Sequence, residues 1–190
     1  MIRNTTHILI AALGLFIMGC SVLGGGRSYD DAMDKNQNRF SDNRELLDDA
    51  EFLVEMQSFG LMLKAAGDTA SNRAYARKVA EFGKEISEKM EFYLKDLDKV
   101  ADDKDIVLPE EMSSAHRNEL EDLLDTDEDN FDEAFLTTIE SQLQKKRRQA
   151  ERIATEGYDD DVRAWTARQL KMMKDYENKA DSMEDELLTN

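Results

Sequence analysis

Between Tyr75 and Val100 the apolar residues Tyr75, Val79, Phe82, Ile86, Met90, Tyr93, Leu97 and Val100 recur at intervals of three or four, and at no other interval. Residues so spaced lie on one face of an α-helix. The stretch therefore specifies a long helix, predicted over 71–102, with one stripe buried along most of its length. The same period appears three more times. Phe52, Met56, Phe59 and Leu63 mark a helix over 43–66, started by the Asp42/Glu45 spacing of a capping box and ended by a turn at Gly67-Asp68. Phe135, Ile139, Leu143, Ala150 and Ile153 mark a helix over 131–156 that Gly157 closes. Val162, Trp165, Met172, Tyr176, Ala180, Met183 and Leu187 mark a last helix, which opens at Asp159 to Asp161, where carboxylates oppose the positive end of the helix dipole. At 1.5 Å per residue these are rods of roughly 35–50 Å.

Pro109, the one proline, ends the apolar connector Ile106-Val107-Leu108. A shorter helix is expected over 113–124, with Leu120, Leu123 and Leu124 turned inward. Short links between the first and second long helices, and between the third and fourth, favour antiparallel neighbours. The expected fold is all-α: an antiparallel four-helix bundle with a short extra connector helix.

The N-terminal end reads differently. Arg3 supplies a positive start, Ile8 to Met18 an apolar run, and Gly19 a small residue just before Cys20. These are the three parts of a secretory signal. The apolar run is shorter than the roughly 20 residues a membrane span requires. Ile17 at −3 and Gly19 at −1 of a cysteine resemble the lipobox of bacterial lipoproteins, in which the thiol receives a diacylglycerol. Ser21 in place of an aspartate resembles the signal for outer-membrane sorting. Residues 1–19 are thus expected to be a lipoprotein signal peptide and Cys20 the lipidated residue. Residues 20–41, including Gly24-Gly25-Gly26 and a polar run, are expected to form a flexible tether. Residues 42–190 are expected to form the bundle. Cys20 is the sole cysteine, so no disulfide can form within the chain.

A formal net charge of −17 makes nucleic acid an unfavourable partner, since phosphate binding requires clustered cations. Contact with the membrane is expected through the anchor alone. The one basic cluster is Lys145-Lys146-Arg147-Arg148, the candidate partner-binding set for an envelope protein. Consecutive helix positions point in different directions, so pairing with carboxylates of neighbouring helices is the competing reading.

Catalytic sets are sparse. The two histidines are His7, in the leader, and His116, read as a surface or boundary residue. No Glu-x-x-His pair of the kind a di-iron bundle uses occurs. Asp125, Asp127 and Asp129 have the start of a calcium-loop spacing, but Asn130 and Leu136 stand where glycine and glutamate are required. The serines lack an evident histidine base. The expectation is no catalytic residue, no metal site and no cofactor.

Four short motifs, in order, carry a family resemblance: Asp49-Ala50-Glu51-Phe52-Leu53, Lys78-Val79-Ala80-Glu81-Phe82, Leu108-Pro109 and Phe131-Asp132-Glu133-Ala134-Phe135. Over about Asp49 to Met183 the chain resembles an uncharacterised ferritin-like family of bacterial predicted outer-membrane proteins. The resemblance implies a ferritin-like bundle in the cell envelope, with histidines in the second, third and fourth helices. Matched by spacing, those positions hold Met90, Leu143 and Tyr176, and a leucine-proline step in the last helix has become Leu170-Lys171. The expected function is a non-catalytic binding or structural module, anchored to the outer membrane on its periplasmic side. A metal-binding protein with a carboxylate site and an envelope-anchored immunity or inhibitor protein are the alternatives.

Overall fold

A computed structural model describes residues 27–189, and within them every regular element is helical. α1 spans Tyr29–Arg39, α2 Arg44–Arg73, α3 Arg77–Asp102, α4 Ser114–Leu124, α5 Phe131–Glu156 and α6 Asp160–Leu188, with one 3-10 turn at Glu128–Asn130. The stripes run inward as their spacing requires. Val79, Phe82, Ile86, Met90, Tyr93 and Leu97 of α3 are buried, as are Phe52, Met56, Phe59 and Leu63 of α2 and Phe135, Ile139, Leu143, Ala150 and Ile153 of α5. Each such Leu, Ile or Phe contributes about 1.5–3 kcal/mol on full burial. Rings lock the centre, with Tyr93 against Trp165 at 5.2 Å and Phe82 edge-on to Tyr176 at 5.7 Å.

Four local expectations are corrected. The first is the flexible tether expected over 20–41, in its described part from residue 27 onward, because Tyr29–Arg39 is helical. Ser28 caps this helix by accepting from the Asp31 amide at 3.1 Å. Its inward face is Ala32, Asn36 and the following Phe40, all buried. A polar residue in the middle of that face hides its period. Asn36 is buried because its amide donates to the Val107 carbonyl and its oxygen accepts from the Val107 amide, each at 2.8 Å.

The second correction is the turn at Gly67-Asp68. α2 passes straight through it to Arg73, capped at its start by Asn43 rather than Asp42. Gly67 is a contact point instead: a Cβ there would lie 2.6 Å from the Gly83 carbonyl oxygen of α3 and 2.9 Å from the Ser87 nitrogen. The third is the N-terminal end of the α3 stripe. Asp132 of α5 accepts from the Tyr75 and Ala76 amides, at 3.0 and 2.7 Å. Those amides are thereby taken out of a helix, and Tyr75 is 96% exposed. Leu124, expected inward, also lies on the surface.

Paired residues give the helix directions. Between α3 and α6 the pairs are Lys78–Glu186 and Lys179–Glu85, and further along Arg168–Asp96. Numbers fall on one helix as they rise on the other, so these two run antiparallel. The α2 contacts with α3 at Gly60–Tyr93 and Gly67–Gly83 show the same order. So do Thr137–Glu184 and Arg147–Glu177 between α5 and α6. α2 and α5 meet at Glu55–Lys146 and, further on, Arg73–Phe131. Each of the four long helices thus has two antiparallel neighbours, and α3 and α5 run the same way.

Residues 103–130 must therefore return along the bundle, and they do so beside α2. Gln57 donates to the Pro109 carbonyl, Ser58 accepts from the Ser113 amide, and Arg73 donates to the Leu124 and Thr126 carbonyls. α1 packs along the start of this return leg, where the Glu110 amide donates to the Arg27 carbonyl at 2.8 Å.

Replacing Gly67 by alanine tests the close approach of α2 and α3. Alanine would gain about 1 kcal/mol of helix propensity. The Gly83 oxygen and Ser87 nitrogen are backbone atoms that cannot rotate away, however, and overpacking of this kind costs about 1–3 kcal/mol. Gly67→Ala is expected to lower the thermal midpoint measured by circular dichroism; an unchanged or higher midpoint would refute the contact.

Candidate functional site

Glu55 interrupts the apolar face of α2, three residues after Phe52 and four before Phe59. Helical geometry aims it toward the seam with α5 and α1. Its Oε2 accepts from the Tyr29 hydroxyl at 2.9 Å, and its Oε1 pairs with the Lys146 ammonium and lies 3.8 Å from His116 Nε2. Lys146 reaches Glu55 because it fills the gap in the α5 stripe, three residues after Leu143 and four before Ala150, and it is only 3% exposed. His116, on the first turn of α4, is 4% exposed and tilted against Phe59. The surface position expected for His116 is corrected here. Leu120 and Leu123, four and seven residues on, share its face and carry it into the core.

A second ring of bonds fixes the histidine. Ser58 Oγ lies 2.6 Å from His116 Nδ1 and accepts from the Ser113 amide at 2.8 Å, and Ser113 Oγ caps α4 by accepting from the His116 amide. The hydroxyl keeps a second lone pair and its proton, so Ser58 can accept from Nδ1 or donate to it. The other ring nitrogen, Nε2, faces the Glu55 carboxylate. Burial is the largest influence on His116 and pushes its pKa down to about 4; the Glu55 carboxylate opposes this, and Lys146 and Lys145 add to it. Glu55 feels burial most of all, which raises its pKa. The hydrogen bond and charge of Lys146, aided by Tyr29 and His116, outweigh burial and leave the carboxyl below its ordinary value. Tyr29 is pushed up by burial and by Glu55, so it remains a donor.

Serine, histidine and glutamate in sequence invite comparison with a nucleophilic triad, and the pairing of Ser58 with His116 was not legible from composition. The arrangement does not function as one. Ser58 is 0% exposed and its oxygen already accepts a backbone N–H, so no substrate carbonyl can approach it. The Glu55–His116 separation exceeds hydrogen-bond length. Beside the cluster, Glu55 and Tyr29 border an open cleft of about 640 Å³ that Asp48, Glu51, Gln149 and Arg152 complete. Chemically the cluster holds charge and fixes helices.

The other expected site residues fall as follows. Cys20 and the leader lie outside the described residues. Of the basic cluster, Lys146 is consumed by Glu55. Arg147 is held by Glu177 at 2.7 Å and Glu151 at 2.5 Å. Arg148 bonds back to Gln144, and Lys145 is exposed. The run therefore does not form one face. Asp125, Asp127 and Asp129 lie in the exposed turn ahead of α5. Met90, Leu143 and Tyr176 are all buried in the core. They offer a thioether, an alkyl group and a phenol whose pKa burial and Glu85 raise, a poor donor set for a metal. Among the described residues no group of three or more His, Cys, Asp or Glu side chains is placed to hold a metal ion. No described helix is long and apolar enough to cross a membrane.

Asp49, from the first of the short motifs, is a structural cap. Its Oδ2 accepts from the Asp159 amide at 2.7 Å, and Gly157 packs so closely that a Cβ would lie 3.1 Å from Oδ1. Lys104 reaches the same loop, 2.8 Å from Asp159 and 2.7 Å from Asp161. The motif thus binds the start of α2 to the α5–α6 turn. A profile described as a domain of unknown function (DUF4142) matches residues 34–183. The chain belongs to this DUF4142 family. The DUF4142 match covers α2 through most of α6, so the Asp49 cap, Glu55, His116 and Lys146 all lie within it. Among solved structures, "YcfI, a putative structural protein from Rhodopseudomonas palustris" is similar in fold, with a TM-score of 0.54 at 12% identity over 84% of this chain and 96% of that one. No curated protein matches the chain.

Two measurements test the cluster. Lys146→Met leaves the Glu55 carboxylate without its main partner, a change that typically costs about 3–5 kcal/mol. Urea unfolding should show that loss, and the double variant Glu55→Gln/Lys146→Met should recover much of it; equal stability of the single and double variants would refute the pairing. The second measurement concerns pH. His116 is neutral in the fold and its pKa lies below the unfolded value of 6.5. The unfolded chain therefore binds the extra proton between those values. Stability is full above about pH 6.5 and falls by up to about 1.4 kcal/mol per pH unit as pH drops toward 4. His116→Gln should flatten this slope, and a wild-type slope retained in the variant would assign it to other groups.

Proposed function

We propose that the protein is a non-catalytic structural or binding module of the cell envelope, anchored by a lipid on Cys20 to the periplasmic side of the outer membrane. The observation that carries the non-catalytic part is the closure of the Glu55–Lys146–His116–Ser58 network. The side chains best suited to acid–base or nucleophilic work are spent on one another inside the bundle. The similarity in fold to a solved protein described as structural supports the same reading.

The anchor rests on the leader, with Arg3, the apolar run to Met18, and Gly19 before Cys20. Two or more acyl chains give stable attachment, at about 0.8 kcal/mol per buried methylene. Growth with an alkyne-bearing palmitate should label the wild-type chain in the membrane fraction. Cys20→Ala should lose the label and appear in the soluble fraction; a label that persists in this variant overturns the anchor.

A further inference from the structure

Phe92 of α3 is 71% exposed, unlike every stripe residue of its helix that packs inward. It stands in an open groove between α3 and α6, about 360 Å³ in volume, with Lys89, Lys95, Lys99 and one carboxylate, Asp96, around it, Tyr93 at its floor and Gln169 on the far wall. From Lys89 to Lys99 the groove runs about 15 Å at helical rise. The three lysines form no ion pair among the described residues, although the chain carries an excess of carboxylates. The nearby acids are engaged elsewhere: Glu88 with Lys84, Glu91 with Lys64 and Asp96 with Arg168. An exposed aromatic ring thus stands among three lysines that form no ion pair and one carboxylate held by Arg168, on one face of an acidic molecule.

We infer that this groove is a docking surface for an acidic amphipathic helix of another protein, its carboxylates meeting Lys89, Lys95 and Lys99 and an apolar side chain covering Phe92. Charge complementarity selects an anionic partner, and a groove between two antiparallel helices has the shape that a third helix packs into. The inference rests in part on the lipid anchor, which argues against the bilayer as occupant. Six residues lie between Cys20 and Arg27, so seven Cα-to-Cα steps separate them. Fully extended they reach about 25 Å. Arg27 leaves from the α1 side, against α2 and the return leg, whereas the α3–α6 groove lies on the opposite side of the bundle. A tether of this reach keeps Arg27 within about 25 Å of the lipid, so the α1 side is the nearer one and the groove the farther. A second copy is disfavoured by the mutual repulsion of two chains of charge −17 and by the same anchored geometry.

The test uses the full chain purified from membranes in detergent, with a fluorescein-labelled, alanine-based helical peptide carrying Glu and Leu at helical spacing on one face. Anisotropy should show binding that weakens as salt rises from about 0.1 to about 1 M, where the Debye length shrinks from about 10 to about 3 Å. The Lys89→Glu/Lys95→Glu/Lys99→Glu variant and Phe92→Ser should each bind at least roughly tenfold more weakly. A peptide with Gln in place of Glu should not bind. All four positions are exposed, and an unchanged thermal midpoint verifies that the variants fold. Equal affinity of wild type and variants, or no binding by wild type, overturns the proposal. So does Phe92-dependent binding to vesicles of phosphatidylethanolamine and phosphatidylglycerol without peptide binding, which would assign the face to lipid. Peptide binding does not require acylation, so failure of the Cys20 label and failure of the groove are separate results.

Discussion

One carboxylate, that of Glu55, joins α2 to three other helices. Tyr29 brings α1 to it, Lys146 brings α5, and His116 brings α4 to within ion-pair range. Moving charges of this kind out of water costs several kcal/mol per ion, and their attraction does little more than offset that cost. The pair is therefore weak as a source of net stability. Its effect is selection among packings. Sliding α5 by one turn would carry Lys146 about 5.4 Å from its partner and bury two unpaired charges, while the apolar stripes would tolerate the slip far better. The register of α5 on α2, and the seating of α1 and α4 over them, thus depend on a contact that adds little net energy.

The second constraint is topological. Because α3 and α5 run the same way, residues 103–130 must climb the length of α2, and the non-helical half of that segment brings unpaired backbone groups with it. The bundle satisfies them with side chains. Asn36 clamps both the amide and the carbonyl of Val107, Gln57 takes the Pro109 carbonyl, and Ser58 takes the Ser113 amide. Arg39 takes the Asp105 carbonyl at the turn where Asp105 adopts a left-handed backbone. α1 is the element that supplies two of these side chains. It is an integral part of the packing because the return leg would otherwise leave polar backbone facing the core.

This explains what was legible in the sequence and what was not. The limits of α5, the stop at Gly157 and the start of α6 follow from local chemistry, and the structure has them at Phe131–Glu156 and Asp160. Gly67 misled because a glycine in a helix reads locally as a break, while its reason lies on another helix, at the Gly83 carbonyl. α1 misled because Asn36 looks polar until Val107 is beside it. The buried cluster was half legible. The seven-residue gap between Leu143 and Ala150 in the α5 stripe, with Lys146 at its midpoint, marks a lysine on a buried face. Glu55 sits in the α2 stripe in the same way. That the two meet, and that Ser58 meets His116 across 58 residues of sequence, is tertiary information with no local signal.

Charge is distributed by the same logic. Buried and half-buried cations are matched: Lys146 by Glu55, Arg147 by Glu177 and Lys104 by Asp159 and Asp161. The carboxylate excess is carried at the surface, where it already crowds in places. Glu140 is pushed above its ordinary pKa by burial first and then by Asp181, Glu184, Glu177 and Asp185. A chain charged in this way repels like molecules over distances of about a Debye length, and its local patches act only at contact. Selectivity then belongs to whatever cations are left uncompensated at contact range. Pairing removes Lys64, Lys84 and Arg168 from that set, although each lies near the α3 face. Lys89, Lys95 and Lys99 remain, around the one aromatic ring on that face which the bundle does not cover.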